Sequence, residues 1–240
     1  MRKEPFFVGD FVHVFNRGNR KQEIVRDEKD KLYFLQALYY FNDSHSILNI
    51  FRNLNDLFRF NLNKMMWPEE FPKRDPLVKI HAFILKNNHF HLILEEIRES
   101  GISEFMRKLS TGVTCRFNKK YDETGKLFQG SYKARRVDKD NYLQYLNVYI
   151  HIKNAFEMYE GGIENAMKNF DDAYEFAKKY PYSSLSVYEG IESLLIKIIS
   201  TDWLIEAFND NEFKNFSKEC LEYLDFDETT LNVIFEHSSV

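Results

Sequence analysis

His89 and His91 flank Phe90 in the run HFHLILE. In an extended strand, residues i and i+2 point to one face. The two imidazoles therefore project together while Phe90 enters the opposite face. Neutral imidazoles paired in this way are ready ligands for a divalent ion. A lone His-x-His is a common pattern; its place on an apolar strand entered through Asn87-Asn88 is what gives it weight. Tyr149 is the second candidate. Tyr142, Tyr145 and Tyr149 follow i, i+3, i+7 on a helical stripe, and the first two fit a packed core face. A phenol, with a pKa of about 10, is a poor nucleophile at neutral pH. It can attack a phosphodiester when a divalent ion polarises the phosphorus and steadies the leaving oxygen. The third candidate is a basic collar. Arg107, Lys108, Arg116, Lys119, Lys120, Lys126, Lys133, Arg135 and Arg136 face only Asp122 and Glu123, with Phe117, Phe128 and Tyr132 among them. Cations contact phosphates, and exposed aromatics stack unpaired bases.

The elements that must hold these residues can be read from periodicity. Phe11 to Arg17 is a β-branched and aromatic run ending at Gly18-Asn19, hence a strand and a turn. Asp27 opens a helix in which Leu32, Leu35, Leu38 and Tyr39 recur at helical spacing. Residues 44–76 mix Asn, Arg and aromatics and end in three prolines, which reads as an inserted excursion. Leu77–Leu85 and His89–Glu95 are apolar runs separated by Lys86-Asn87-Asn88, a hairpin signature. Ser103 is the expected cap of a helix with Phe105, Leu109, Val113 and Phe117 on one stripe. Phe128–Val137 reads as a strand, and Asp138 starts the helix of Tyr149. The order β-α-β-β-α-β-α predicts an α+β, ferredoxin-like (split βαβ) antiparallel sheet with a helical C-terminal extension.

Composition narrows the class. An aromatic content of 16% is too high for a disordered chain, and nine glycines exclude collagen-like architecture. Cys115 and Cys220 supply neither a disulfide framework nor a zinc set. No apolar run is long enough to span a bilayer. The expectation is a soluble, cytoplasmic protein with no membrane partner. The net charge of −4 conceals an asymmetry: residues 1–156 carry 27 basic and 19 acidic residues, residues 157–240 carry 6 and 18. A basic body with an acidic tail points to a polyanionic partner for the body.

At these residues the sequence resembles the HUH single-tyrosine transposases, most closely the branch associated with REP elements. The likeness runs through residues 11–156 apart from the excursion. It is carried by HVFNRGNRKQEIVRDEKD (13–30), ILKNNHFHLIL (84–94), GISEFMRKLSTGVTCRFNKKY (101–121), LFQGSYKARRV (127–137) and YLQYLNVYIHIKNAF (142–156). PYSSLSVY (181–188) and TDWLIEAF (201–208) look like the helical extension many members carry. The resemblance implies a catalytic domain over 1–158 with an insertion at about 44–76, and an acidic extension over 159–240. It implies cleavage of single-stranded DNA beside a hairpin, with His89 and His91 holding Mg²⁺ or Mn²⁺ and Tyr149 forming a 5′-phosphotyrosine link. Asn16, Arg17, Gly18 and Asn19 would lie near the DNA, with Arg107, Lys108, Lys133, Arg135 and Arg136 as further contacts. Monomer and homodimer are both open.

One position departs from the family pattern. Gln or Asn usually stands four residues after the tyrosine as a third ligand; here it is Lys153, with Asn154 beside it. A protonated ammonium cannot ligate a cation and repels one. Four readings follow: a helix irregularity presents Asn154, another group or water completes the site, Lys153 contacts the phosphate, or the enzyme is impaired. An impaired member would be a hairpin nucleic-acid-binding regulator, and a weaker third reading is a protein-interaction role for the acidic tail. His13 and His81 lie on strands that could flank the site but are set aside as structural, and His151, two residues from Tyr149 on a different helix face, is a weaker ligand candidate. Glu95 and Glu96 read as a solvated strand end, Cys115 as a small buried group and Trp203 as a tail anchor.

Overall fold

Strand β1 (Phe11–Arg17) and strand β3 (His89–Glu96) form the centre of the sheet. They pair antiparallel, with Phe11 opposite Glu95, His13 opposite Ile93, Phe15 opposite His91 and Arg17 opposite His89. Strands β2 (Val78–Leu85) and β4 (Lys133–Val137) complete a four-stranded sheet of order β2-β3-β1-β4. β2 and β3 form the expected hairpin, closed where the Lys86 amide donates to the His89 carbonyl at 2.8 Å. Helix α1 (Glu28–Tyr40) starts where the sequence places it, because the Asp27 carboxylate accepts from the Asp30 N–H at 2.9 Å. Helix α2 (Gly101–Tyr121) follows β3. This is the expected α+β arrangement, with β1 beside β3 and the hairpin's first arm at one edge. The computed structural model describes residues 5–45, 51, 61–137, 140–201 and 210–223. Residues 46–50 and 52–60 of the excursion, Asp138, and Trp203 with most of its motif lie outside those residues.

The sheet's two faces differ in chemistry. Val12, Val14, Phe90, Leu92 and Leu94 are each fully buried on one side. Phe34 of α1 meets Phe90 there with ring centroids 5.2 Å apart, and α2 packs against β3 and α1. The other side carries His13, Phe15, His89, His91, Ile93 and Glu95, with His81 of β2 hydrogen-bonded to Glu95 at 2.9 Å. Period-2 alternation therefore sends the apolar set to the helices and the imidazoles to the opposite face.

Four boundaries or environments differ from the sequence reading. α2 begins before Ser103, because the Glu96 carboxylate accepts from the Ile102 N–H at 2.9 Å and so caps the helix from outside. At Gly101 an added Cβ would lie 2.3 Å from the Leu77 carbonyl oxygen, so only glycine lets the chain enter there. Glu96 is thus buried, 1% exposed, rather than solvated, and Glu95 is engaged by His81 and, at 3.4 Å, by Lys79. The last strand starts at Lys133 and not at Phe128. Phe128 makes one antiparallel bridge to Gly18, and the chain leaves the ladder until Lys133. Cys115 is exposed, not buried.

The chain divides into two compact units: 1–81, 85–136 and 194–200 in the first; 82–84, 137–193 and 201–240 in the second. This cut at 136/137 falls before the 158/159 boundary expected from sequence. The second unit holds α3 (Asp140–Val148), which continues into a π-helical turn at Tyr149–Lys153 and a closing turn at Asn154–Phe156. α4 (Gly162–Lys168), α5 (Phe170–Lys179), α6 (Leu185–Tyr188) and α7 (Asp210–Tyr223) follow. Tyr142 is buried as expected, and Tyr145 meets Phe216 of α7 at 5.3 Å.

Candidate metal centre and nucleic-acid face

The hairpin turn fixes the first imidazole. The His89 Nδ1 donates to the Asn88 Oδ1 at 2.6 Å, which puts its proton on Nδ1 and leaves the lone pair on Nε2. His91 is held differently: its Nδ1 lies 3.0 Å from the Nε2 of His13. Its ring packs against both His13 and Phe15, with centroids 5.2 and 5.4 Å away. His89 and His91 themselves are 5.3 Å apart, centroid to centroid, and nearly perpendicular. Burial, reinforced by the positive charge of Arg135, pushes His13 down to about 3, so it is neutral near pH 7. Burial also lowers His81, against the opposing pull of its Glu95 partner.

Strand β4 brings cations to the same face. The Lys133 ammonium lies 5.6 Å from the centre of the Phe15 ring, and Arg135 acts on His13. Arg136 approaches Asp10 at 4.0 Å. Arg17 stands opposite His89 in the ladder. Beyond it, the Gly18 amide donates to the Asn88 carbonyl at 2.8 Å, tying this turn to the one that enters the His-Phe-His strand. A Cβ on Gly18 would meet the Gln22 carbonyl oxygen at 2.0 Å, so the close approach requires glycine. Asn16 is buried, its amide donating to the Gly130 carbonyl at 3.1 Å, and its role here is to anchor the 129–132 loop. Asn19 is exposed on the turn. A groove of about 1380 Å³ runs beside β4, lined among others by Phe7, Val8, Ser103, Tyr132, Lys133 and Arg135.

Part of the basic collar goes elsewhere. Arg107 is exposed but sits on α2, behind the sheet face opposite the imidazoles. Lys108 donates to the Asp43 and His45 carbonyls at 2.5 and 3.3 Å and pairs with Glu104 at 3.2 Å. Lys120 bridges Asp27 and Asp30, both at 2.6 Å, and the Arg116 guanidinium lies 4.6 Å from the Tyr33 ring centre. These three tether α2 to its neighbours. Sequence reasoning sorted none of this, because a cation's partner is set by tertiary packing. It also passed over His13, whose contact with His91 depends on the β1–β3 register.

In the second unit, Tyr149 is 5% exposed and opens the π-helical turn. The Lys153 ammonium lies 5.3 Å from its ring centre and forms an ion pair with Glu157. In i→i+5 winding, the residue five along stacks above the first, the place that i+4 holds in an α-helix. That residue is Asn154: its backbone N–H and its Nδ2, at 2.8 Å, both donate to the Tyr149 carbonyl. The helix is therefore irregular at Tyr149–Lys153, with the buried Asn154 amide turned onto the Tyr149 carbonyl. His151 is buried, with Nε2 2.8 Å from the Ser184 hydroxyl, and burial pushes it down to about 3.

His89 and His91 are the residues that would hold a divalent ion: His89 has its Nδ1 on Asn88 of the hairpin turn and its Nε2 at the far end of the ring, and His91 has its Nδ1 against His13. Among the described residues no group of three or more His, Cys, Asp or Glu could hold a metal. The two imidazoles are thus a partial set, of the kind that leaves positions for phosphate oxygens and water. Among the described residues no helix is long and apolar enough to cross a membrane.

Comparison with known proteins bears on this segment. No curated protein matches the chain. A solved structure of a REP-associated tyrosine transposase bound to a REP hairpin is similar at 12% identity, covering 81% of this chain and 88% of that one, with a TM-score of 0.42. A likeness that slight carries no weight of its own. Residues 73–153 match the family model described as transposase IS200 like. That stretch begins ahead of β2, contains His89, His91 and Tyr149, and ends at Lys153. Over residues 73–153, a stretch shorter than half of the chain, this protein is similar to the IS200-like transposases.

Proposed function

We propose that the chain is a transposase-type single-stranded DNA endonuclease and strand transferase acting beside DNA hairpins. The observation that carries this reading is the His89–His91 pair. Their Nδ1 atoms contact Asn88 of the hairpin turn and His13 of β1, at the face where Lys133 and Arg135 gather, in the segment that matches the IS200-like transposases. On this reading residues 1–158 carry the chemistry, 44–76 are an insertion and 159–240 are an acidic helical extension.

His89 and His91 would hold Mg²⁺ or Mn²⁺, with Asn154 or water completing the set. Such an ion would supply positive charge to polarise the scissile phosphate and steady the departing oxygen. The Tyr149 Oη attacks phosphorus and its proton passes to solvent. The bond from phosphorus to the 3′ oxygen breaks, and that oxygen takes up a proton as a free 3′-OH. The product is a 5′-phosphotyrosine link, which a later 3′-OH can attack to restore the phenol and rejoin DNA. Arg17, Asn19, Lys133, Arg135 and Arg136 engage the phosphates; Arg107 is a remote contact, and Asn16 and Lys108 act by shaping the loops they anchor.

The test is a single-stranded hairpin oligonucleotide with Mn²⁺. Wild type is expected to give a covalent protein–DNA adduct, absent in Tyr149→Phe; equal adduct in both would remove Tyr149 from its role. A second reading rests on the Lys153 ammonium, which lies over the Tyr149 ring and pairs with Glu157. A fixed cation at that position suits a hairpin-binding regulator without cleavage. Strongly salt-dependent hairpin binding with no adduct in wild type, and adduct gained in Lys153→Gln, would favour it.

A further inference from the structure

His89 and His91 reach the same face with their protons fixed by different partners. For His89 the Asn88 carbonyl oxygen settles the matter, because an amide oxygen can only accept. For His91 the partner is another imidazole, the Nε2 of His13 at 3.0 Å. One proton lies on this contact, and which ring owns it has opposite consequences. If His13 donates, the remaining proton of a neutral His91 stands on Nε2, and that nitrogen has no lone pair to give. If His91 donates from Nδ1, its Nε2 becomes a ligand equivalent to that of His89.

We propose that His13 is a positioning residue that accepts the hydrogen bond from His91 Nδ1–H, and so keeps the His91 Nε2 as a metal-ligating nitrogen. The inference rests on the metal-centre reading above, but its first readout does not require a metal. Three features of the fold hold the two rings in this contact, and the direction of its hydrogen bond follows from the metal-centre reading. Both rings are buried, His13 at 2% and His91 at 5% exposed, so solvent does not compete for the shared contact. The two rings are stacked within 21° of parallel, and His13 in turn stacks on Phe15, 5.0 Å away, so neither ring can turn without the other. The positions are set by the ladder: His13 lies opposite Ile93, two residues from His91 on the same face of β3. Partners that hold the far nitrogen of a ligating histidine orient the ring and raise its basicity, and losing one typically costs about 10–100-fold in metal affinity. His13 thus does for His91 what Asn88 does for His89, from the neighbouring strand rather than the preceding residue.

The test uses the full chain with ¹⁵N-labelled histidine, free of metal and DNA, and reads the His91 tautomer by long-range ¹H–¹⁵N NMR. Wild type is expected to show His91 protonated at Nδ1. In His13→Phe, the His91 tautomer is expected to move toward Nε2–H, and Mn²⁺ affinity by calorimetry to fall at least about 10-fold. His13→Gln, whose side-chain oxygen can accept from His91, is expected to restore both readouts. It also serves as the folded control, should the Phe variant lose structure. A wild-type His91 protonated at Nε2 would overturn the proposal, as would a folded His13→Phe with unchanged tautomer and unchanged affinity. If wild type retained no Mn²⁺, the metal centre would fail, while the tautomer shift between variants would still decide the role of His13.

Discussion

Neighbouring residues Phe90 and His91 occupy opposite faces of one strand, and the contrast between those faces organises the molecule. Behind Phe90 the sheet is mainly apolar and covered by α1 and α2; of its polar residues, Glu96 caps α2 and Asn16 anchors the 129–132 loop. In front, His91 shares its face with His13, His89, His81 and Glu95, and with Lys133 and Arg135 of the edge strand. The first face stabilises by excluding water. The second keeps buried polar groups in contact with one another, an arrangement that contributes little to stability and much to chemical readiness.

The sharpest way to break this contrast is to truncate the two neighbours separately. Phe90→Ala is expected to cost about 3–5 kcal/mol in urea unfolding, the usual penalty for emptying a large aromatic site in a core. His91→Ala is expected to cost about 1–2 kcal/mol while abolishing Mn²⁺ retention by calorimetry. A His91→Ala loss as large as that of Phe90→Ala would make the imidazole face a second structural core.

Acid should separate a histidine of the site from one of the scaffold. His13 and His151 are both pushed from 6.5 to about 3 by burial, so each is neutral when folded while the unfolded chain binds a proton below about 6.5. Each therefore contributes stability that is full above pH 6.5 and is lost as pH falls toward 3. The slope is about 1.4 kcal/mol per pH unit for each ring. Urea titrations between pH 7 and 4 are expected to show a shallower fall in both His13→Gln and His151→Gln. Metal affinity should stay unchanged in His151→Gln and, because glutamine keeps the acceptor for His91, in His13→Gln; only His13→Phe should lower it.

The smallest expected effect divides the basic collar. Lys133→Ala is expected to lower the slope of log K against log salt for hairpin binding by about 1, as one phosphate contact is lost. Lys108→Ala is expected to leave that slope unchanged and lower stability by about 1 kcal/mol, because its ammonium holds the carbonyls of Asp43 and His45. Equal salt slopes in the two variants would return both lysines to one undivided surface.

Local signals were legible wherever a residue's role depended on its neighbours in sequence. Period-2 alternation set the His-Phe-His strand and its hairpin, and Asp27 marked the start of α1. Roles that depend on distant partners were not. Ser103 looked like a cap, yet Glu96 does that work through a tertiary bond. Glu95 and Glu96 looked solvated because their partners, His81 and the Ile102 amide, come from other elements. His13 looked like an ordinary strand residue until the register placed its ring on His91. The π-helical turn had no signature in spacing; the anomaly at Lys153 was its only trace.

That wide turn makes the helix respond unequally to changes in its length. Deleting Lys153 would close the turn into ordinary α-helical winding and leave asparagine as the fourth residue after Tyr149, with the helix on either side undisturbed. Adding a residue instead would demand a second bulge in a segment whose carbonyl at Tyr149 already serves two donors from Asn154. The segment forgives shortening and resists lengthening, so the one-residue deletion is the simplest edit that returns this helix to even pitch.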